Sequence, residues 1–353
     1  MKRGMVKAMI RLKPGVEKLQ AYFVNDIPYR VKLDANEGSN YLLKGGFNIN
    51  HLKPNLYPDS DSRELRRKMA EYYGCDETNI MVGNGSSELI NTIVNAYCDK
   101  GEKVMSFTPS FSMYQTYCDL CGAEFIGIET EEDFSQNIDK LILAAKDQKP
   151  KIIILCNPNN PTGYVTSKEE ILKLLENIDD SLVILDEAYA DFSYVTAMDL
   201  INTYENLIVM RTLSKAFGLA GIRVGALVAN AKTIEYIWKV KVPYNLNIYS
   251  QYAAIEALSN TDGVDEYIND IKKLRKELYM QLEDLQFQLY PSGGNFIFTK
   301  PPIDNLFEKL MRRGVLIREF IYKEKVYNRI TVGTKEENQI LIDEIKELIG
   351  GCL

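Results

Sequence analysis

Histidine is almost absent from this chain: His51 is the only one in 353 residues. A Ser-His-Asp triad, a two-histidine metal site or an H-E-x-x-H protease would have to be built around that one residue or is excluded. Any acid–base chemistry is therefore expected to rest on lysine, tyrosine, carboxylates or a cofactor. Cysteine is scattered at 75, 98, 118, 121, 156 and 352, and only Cys118 and Cys121 have C-x-x-C spacing. With no second such pair and no histidines nearby, no metal is expected. The pair is expected on a helix following Pro109, and all six thiols are expected to be reduced. No apolar run approaches the ~20 residues of a membrane span. The basic start, MKRGMVKAMIRLKPG, lacks a long apolar core and a small-residue cleavage site. No signal peptide is expected, then, and the location expected is cytoplasmic. Positive charge is not in excess, since the formal net charge is −7, which argues against nucleic acid as a partner. Internal repeats, low-complexity tracts and long Pro/Ser linkers are also missing.

What is present reads as an ordinary globular protein, with 46% hydrophobic and 26% charged residues. The length suffices for a large core, expected in two lobes. Short runs rich in Val, Ile and Leu stand at Ile80–Val82, Lys103–Phe107, Glu124–Ile128, Lys151–Cys156, Leu182–Leu185, Leu207–Arg211 and Val224–Ala229. Such continuous runs suit strands buried on both faces. Helical spacing of apolar residues lies between several of them, at Ser86 to Cys98 and Lys168 to Ile178. The pattern predicts an α/β fold with a doubly wound, mostly parallel sheet. After about residue 250 the texture changes. A long helical stretch from Tyr252 to Leu285, broken near Gly263, precedes strands at Asn295–Thr299, Val315–Arg318 and Arg329–Val332. Helices are expected at Asn305–Arg313 and Glu336–Ile349. The division expected is an N-terminal segment 1–45 packing across both lobes, a large α/β domain 46–250 and a smaller α+β domain 251–353.

The stretch Arg211-Thr212-Leu213-Ser214-Lys215-Ala216-Phe217-Gly218-Leu219-Ala220-Gly221-Ile222-Arg223 follows an apolar run and holds one lysine among small residues. It would hold that lysine in a turn at a strand's C-terminal end, where α/β sheets bind ligands. An amine there can form a Schiff base with an aldehyde, and pyridoxal phosphate (PLP) is an aldehyde that also needs an anion cradle. Thr212, Ser214 and Arg223 supply hydroxyls and a guanidinium for one. The plain alternative is an exposed loop lysine.

Three further motifs bear on that choice. Gly83-Asn84-Gly85-Ser86-Ser87-Glu88 follows a strand and opens a helix, which suits a phosphate. No G-K-S/T follows, so it is not a P-loop, and Glu88 spoils a dinucleotide fingerprint. Asn157-Pro158-Asn159-Asn160-Pro161-Thr162-Gly163 makes a rigid polar turn from which Asn160 would point into a cleft. Asp186-Glu187-Ala188-Tyr189 ends a buried strand with an acid, which is costly unless it meets a cation or a strong donor. A protonated pyridine nitrogen would be such a partner; an N-cap aspartate is the alternative.

Taken in chain order, these strings resemble the fold-type-I PLP-dependent aminotransferases, and within them the histidinol-phosphate aminotransferase subfamily. Asn36-Glu37, Tyr57-Pro58-Asp59 and Arg329-Ile330-Thr331-Val332-Gly333 carry the same resemblance, which extends from about residue 30 to the C-terminus. It implies that Lys215 carries PLP covalently and shuttles the proton between Cα and C4′. It further implies that Asp186 meets the pyridine nitrogen, Tyr189 and Asn160 bond the ring hydroxyl oxygen, and Phe111 stacks on the ring. Ser86, Ser87, Thr212, Ser214 and Arg223 would hold the phosphate, with Tyr57 reaching in from the second subunit of a homodimer. Arg329 would clamp the substrate carboxylate or its equivalent. Arg318 would either bind a substrate phosphate or pair with Glu319 or another acid.

The reaction so implied is transfer of an amino group from L-histidinol phosphate to 2-oxoglutarate, giving imidazole acetol phosphate and L-glutamate, in histidine biosynthesis. A threonine-phosphate decarboxylase or an aromatic or other amino-acid aminotransferase are the alternatives on the same fold. The decarboxylases' glycine-rich histidine motif is not found here. A non-catalytic PLP-binding regulator would need a DNA-binding segment that the sequence does not offer. The family's N-E-N-P string reads Asn36-Glu37-Gly38-Ser39, Gly15 follows Pro14 where an aromatic is usual, and Phe111 replaces a common tyrosine. These departures bear on the substrate pocket, not on the cofactor machinery.

Overall fold

A computed structural model describes residues 12–19, 27–43 and 46–350. Seven strands form the main sheet: β1 Ile80–Asn84, β2 Lys103–Thr108, β3 Glu124–Glu129, β4 Ile152–Cys156, β5 Leu182–Asp186, β6 Leu207–Thr212 and β7 Val224–Ala229. Their spatial order is β1-β7-β6-β5-β4-β2-β3. The strands from β3 across to β6 pair in parallel, while β7 runs antiparallel to both β6 and β1. All seven strands expected from the apolar runs are therefore present, most of them extended by a residue or two at an end.

Each central strand feeds two cores. Ile153 and Leu155, Val183 and Leu185, and Leu207 and Val209 point to one layer. Ile152, Ile154 and Cys156, Leu182 and Ile184, and Ile208 and Met210 point to the other. That alternation is the period of two of a strand buried on both faces, which is why the bodies of these runs are apolar and their polar residues, Asp186, Arg211 and Thr212, stand at the ends. The first layer is covered by helices Ile138–Gln148 and Lys168–Asn177 and continues into the C-terminal part of the chain. The second is covered by helices Ser86–Tyr97, Met113–Cys121 and Ala231–Trp238. Cys118 and Cys121 lie in the last turn of Met113–Cys121, on the helix expected after Pro109.

Local signals account for the helix ends. Ser167 and Glu170 form a reciprocal capping box at the start of Lys168–Asn177. Asn137, Asn230 and Asn247 cap three other helices through their side chains. The long helical stretch divides into Ile248–Ser259 and Val264–Asp284, with Gly263 at the second N-cap.

Beyond residue 285 an antiparallel sheet is built from Gln288–Tyr290, Phe296–Lys300, Lys325–Thr331 and Arg318–Tyr322. Two expectations are corrected here. The strand expected over Val315–Arg318 stops at Leu316, and Arg318 begins a separate strand. The strand expected at Arg329–Val332 starts at Lys325. The hairpin turn at Lys323 and Glu324, both with positive φ, joins the last two strands. No Gly or Pro marks it, so periodicity did not reveal the first of them. Within the stretch 1–45, Val31–Lys32 pairs in parallel with Val315–Leu316. Residues 34–41 then run to the Lys215 loop, where the Tyr41 hydroxyl donates to the Ala216 carbonyl at 2.8 Å.

Candidate active site

The parallel strands direct their carboxyl ends to one edge of the sheet, and the motif residues follow those ends. A cavity of about 590 Å³ opens there. Its walls include Ser86 and Ser87, Phe111, Asn160, Asp186, Tyr189, Thr212, Ser214, Lys215, Arg223, Arg318 and Arg329. Sequence separations of more than two hundred residues thus close to a single site. Tyr57 is the exception. It does not line the cavity of its own chain; it is 81% exposed and stacks on Tyr244 with ring centroids 4.6 Å apart.

One end of the cavity is built for an anion. Helix Ser86–Tyr97 begins at Gly85, which offers no side-chain cap, so the first N–H groups of the helix are left for another acceptor. Gly85 has φ +82°, and a Cβ there would lie 2.4 Å from Arg223 Nη2. Only glycine lets the guanidinium lie over the helix start. Arg223 itself sits in the left-handed region at φ 58°. Thr212 Oγ1 accepts from the Ser214 backbone N–H at 3.1 Å, which fixes the hydroxyl at the mouth of β6.

The same cavity also holds Asp186, 4% exposed at the end of β5. Its Oδ2 accepts from the Tyr114 hydroxyl at 2.6 Å and its Oδ1 from the Ala188 N–H at 3.2 Å. Burial pushes its pKa up, while these donors and the Lys215 charge pull the other way. No described residue forms an ion pair with it. The N-cap alternative is not realised as such, because the short 3-10 turn that follows starts only at Ala190. Tyr189 Oη accepts from Asn36 Nδ2 at 3.0 Å, and burial pushes the phenol up to about 12.

Lys215 lines the cavity within electrostatic reach of both Asp186 and Arg223. The loop that carries it is closed by Gly218 N donating to the Lys215 carbonyl at 3.0 Å and Leu219 N to the Leu213 carbonyl at 3.0 Å. Gly218, at φ +65°, packs so closely on Ser39 that a Cβ would come within 2.1 Å of the Ser39 carbonyl oxygen. The Lys215 ammonium donates to the Ala35 carbonyl at 2.8 Å. Desolvation and the Arg329 charge lower its pKa to about 7, so the neutral amine is far more accessible near neutral pH than for an ordinary lysine.

The asparagine turn separates its duties. Asn157 exchanges two hydrogen bonds with the backbone of Thr166, at 3.0 and 2.8 Å. Asn159 bonds the Pro109 carbonyl, Thr162 and Ser110. Asn160 alone is spared for the cavity, where its Oδ1 accepts from Arg329 Nη1. The second Arg329 nitrogen donates to the Asp34 carbonyl at 2.6 Å, and the guanidinium lies near the rings of Phe296 and Phe320. Arg318 stands directly across the strand pair from Arg329, so the two side chains share one face of the sheet. Arg318 is exposed to the cavity and forms no ion pair with Glu319 or any other described acid.

Sequence reasoning did not single out Tyr114, Asn36 as a holder of Tyr189, or the carbonyls of Asp34 and Ala35. Tyr114 was legible in principle, one helical turn after Phe111. A backbone carbonyl leaves no trace in composition.

The residues fit PLP. A buried carboxylate without a cation faces the space where a protonated pyridine nitrogen would complete it, and a glycine-cleared helix start with a guanidinium suits its phosphate. The comparisons agree with this reading. The model of the aminotransferase class I and II family matches residues 50–345. The chain is 41% identical to the histidinol-phosphate aminotransferase of Thermoanaerobacter sp. strain X514, over 98% of this chain and 100% of that one. It is 37% identical to that of Ruminiclostridium cellulolyticum, over 97% and 98%. Among solved structures, the histidinol-phosphate aminotransferase of Sinorhizobium meliloti, in complex with pyridoxal-5′-phosphate, superposes with a TM-score of 0.90 at 22% identity, covering 98% of this chain and 100% of that one. The chain belongs to the aminotransferase class I and II family. The fold, enzyme class and cofactor expected from its sequence hold.

Proposed function

We propose that this enzyme transfers the amino group of L-histidinol phosphate to 2-oxoglutarate, giving imidazole acetol phosphate and L-glutamate, as a step of histidine biosynthesis in the cytoplasm. The observation that carries the choice of a phosphorylated substrate is the Arg318–Arg329 cross-strand pair facing the cavity. Like charges directly opposite on a sheet repel. An anionic substrate between them turns that cost into binding. The names of the relatives point the same way.

Bound in the cavity, PLP supplies an aldehyde that takes up an amino group and a pyridinium ring that withdraws electrons from it. In this reading Lys215 holds the cofactor and then moves a proton as a base whose pKa, about 7, suits neutral solution. Asp186 holds the proton of the pyridine nitrogen, and Tyr189 and Asn160 hold the ring hydroxyl oxygen. Phe111 covers the ring face. Ser86, Ser87, Thr212, Ser214 and Arg223 receive the cofactor phosphate. Arg329 takes the substrate carboxylate of glutamate, and Arg318 takes the phosphate of histidinol phosphate.

The same proposal includes a homodimer in which Tyr57 of a second copy reaches the cofactor phosphate, and a division into a segment 1–45, a large domain 46–250 and a small domain 251–353. Supporting the dimer, Tyr57 shares its surface with exposed Leu56, Val242 and Tyr244. Such apolar exposure suits an interface. The deciding experiment mixes the PLP-loaded enzyme separately with L-histidinol phosphate and with L-glutamate in single-turnover spectroscopy. Both should convert the cofactor to its amine form without release of carbon dioxide. Conversion by glutamate alone rules out the histidinol-phosphate assignment.

A further inference from the structure

The hydroxyl of Tyr114 was not among the groups assigned a role, yet it is bonded to Asp186, a cavity carboxylate with no cation partner among the described residues. Tyr114 is completely buried, and its Oη donates to Asp186 Oδ2 at 2.6 Å. The fold explains the meeting. Asp186 follows Leu182 and Ile184 in the alternation of β5, and those two face the layer covered by helix Met113–Cys121. The carboxylate is therefore directed at the first turn of that helix, where Tyr114 stands one turn beyond Phe111. The two rings meet edge to face at 5.5 Å and 85°. The residue assigned to the cofactor's face and the residue on Asp186 are thus in direct contact.

An anion at this depth needs donors. Among the described residues Asp186 has two, the Tyr114 hydroxyl and the Ala188 N–H. The titratable groups around it are Tyr114 on the helix side, Cys156 on the paired strand β4, and Tyr189 and Lys215 toward the cavity. Burial keeps Tyr114 protonated far above neutrality, and it pushes the Cys156 thiol up as well. Tyr114 therefore stays a donor throughout the range in which the enzyme would work.

We propose that Tyr114 is a positioning residue that holds Asp186 charged and oriented for the pyridine nitrogen of the cofactor. The proposal rests on Asp186 being the pyridine partner. Its distinct content is that the phenol decides the charge state of Asp186. Packing alone would be preserved by phenylalanine, and the charge state would not.

The test uses the full chain with two substitutions, Tyr114→Phe and Tyr114→3-fluorotyrosine, the second keeping the shape and making the phenol a stronger donor. In protein stripped of PLP, the infrared carboxyl band lost in Asp186→Ala identifies Asp186 and gives its ionisation midpoint. Tyr114→Phe should raise that midpoint by about one pH unit or more, a tenfold change in ionisation constant. Tyr114→3-fluorotyrosine should lower it. An unchanged midpoint in both overturns the proposal. In protein loaded with ¹⁵N-labelled PLP, Asp186→Ala and Tyr114→Phe should both move the pyridine nitrogen signal toward its unprotonated position. A signal moved by Asp186→Ala but not by Tyr114→Phe overturns the role of Tyr114. A signal moved by neither overturns the placement of Asp186, and with it the positioning role.

Discussion

Asn160 Oδ1 accepts a hydrogen bond from Arg329 Nη1, joining the turn after β4 to the last strand of the smaller sheet across the cavity. In the proposed reading, this one polar contact ties the cofactor side of the site to the substrate side, between residues 169 positions apart. It holds the guanidinium in place before any substrate arrives, together with the Asp34 carbonyl and the rings of Phe296 and Phe320. Preorganisation of this kind lowers the cost of ordering a long side chain on binding.

Removing that clamp should show in substrate affinity. If Arg329 takes the substrate carboxylate as proposed, Arg329→Gln removes a two-pronged, charge-assisted contact. The KM for L-glutamate should rise by about tenfold or more. Steady-state kinetics with saturating acceptor checks this, and an unchanged KM places the carboxylate elsewhere.

Arg318→Gln should separate the two substrates. Its side chain has no described acid to release, so the fold should be unaffected. The KM for L-histidinol phosphate should rise by about tenfold or more, the worth of one charge-assisted hydrogen bond, while that for glutamate stays within about twofold of wild type. Equal effects on both substrates would mean that Arg318 does not read the phosphate.

Lys215 sets a pH dependence. Its pKa is lowered to about 7 by desolvation, with Arg329 the leading charge that adds to the effect. The neutral amine is the nucleophile, so the rate at which stripped protein captures PLP should rise with pH through about 7 and then level off. In Arg329→Gln a neighbouring positive charge is gone, and the midpoint should move up. Lys215→Ala should abolish the absorbance of lysine-linked cofactor and lower turnover by at least about 10³-fold. A flat pH profile, or wild-type turnover in that variant, would remove Lys215 from the mechanism.

A stability prediction concerns the layer just beneath the site. Arg211, at β6, pairs with Glu187 at 3.0 Å and Asp191 at 2.9 Å, and Glu187 is 1% exposed. Glu187 also accepts from Thr196 Oγ1 and the Ala197 N–H, both at 2.7 Å. Arg211→Ala leaves a buried carboxylate without its cation and should cost about 3–5 kcal/mol at neutral pH. The deficit should shrink as the pH falls, because burial already pushes the Glu187 pKa up and protonation removes the uncompensated charge. Denaturant melts at pH 5 and pH 7.5 would check both the size and the sign.

Local chemistry carried much of this in the linear chain. The central runs of the large sheet were readable because a strand buried on both faces is apolar through its body, with Asp186, Arg211 and Thr212 only at the ends of β5 and β6. The Gly263 break and the helix starting at Ser86 were readable for the same local reasons. Less was legible near the substrate end. Arg318 looked like the last residue of one strand and opens another, because the hairpin that pairs it with Arg329 has Lys323 and Glu324 at positions where turn signals call for glycine or asparagine.

The sequence by itself determined the main sheet, which depends on periodicity, and, through its resemblance to a known family, the enzyme class. Only the tertiary structure decided which of those groups meet. It brought Tyr114 onto Asp186, Asn36 onto Tyr189, and the carbonyls of Asp34 and Ala35 onto Arg329 and Lys215. Those contacts depend on strand order, on the face to which each side chain alternates and on where residues 34–41 run past the Lys215 loop. Two of the partners are backbone carbonyls, which every residue carries alike, so no reading of side chains along the chain distinguishes them.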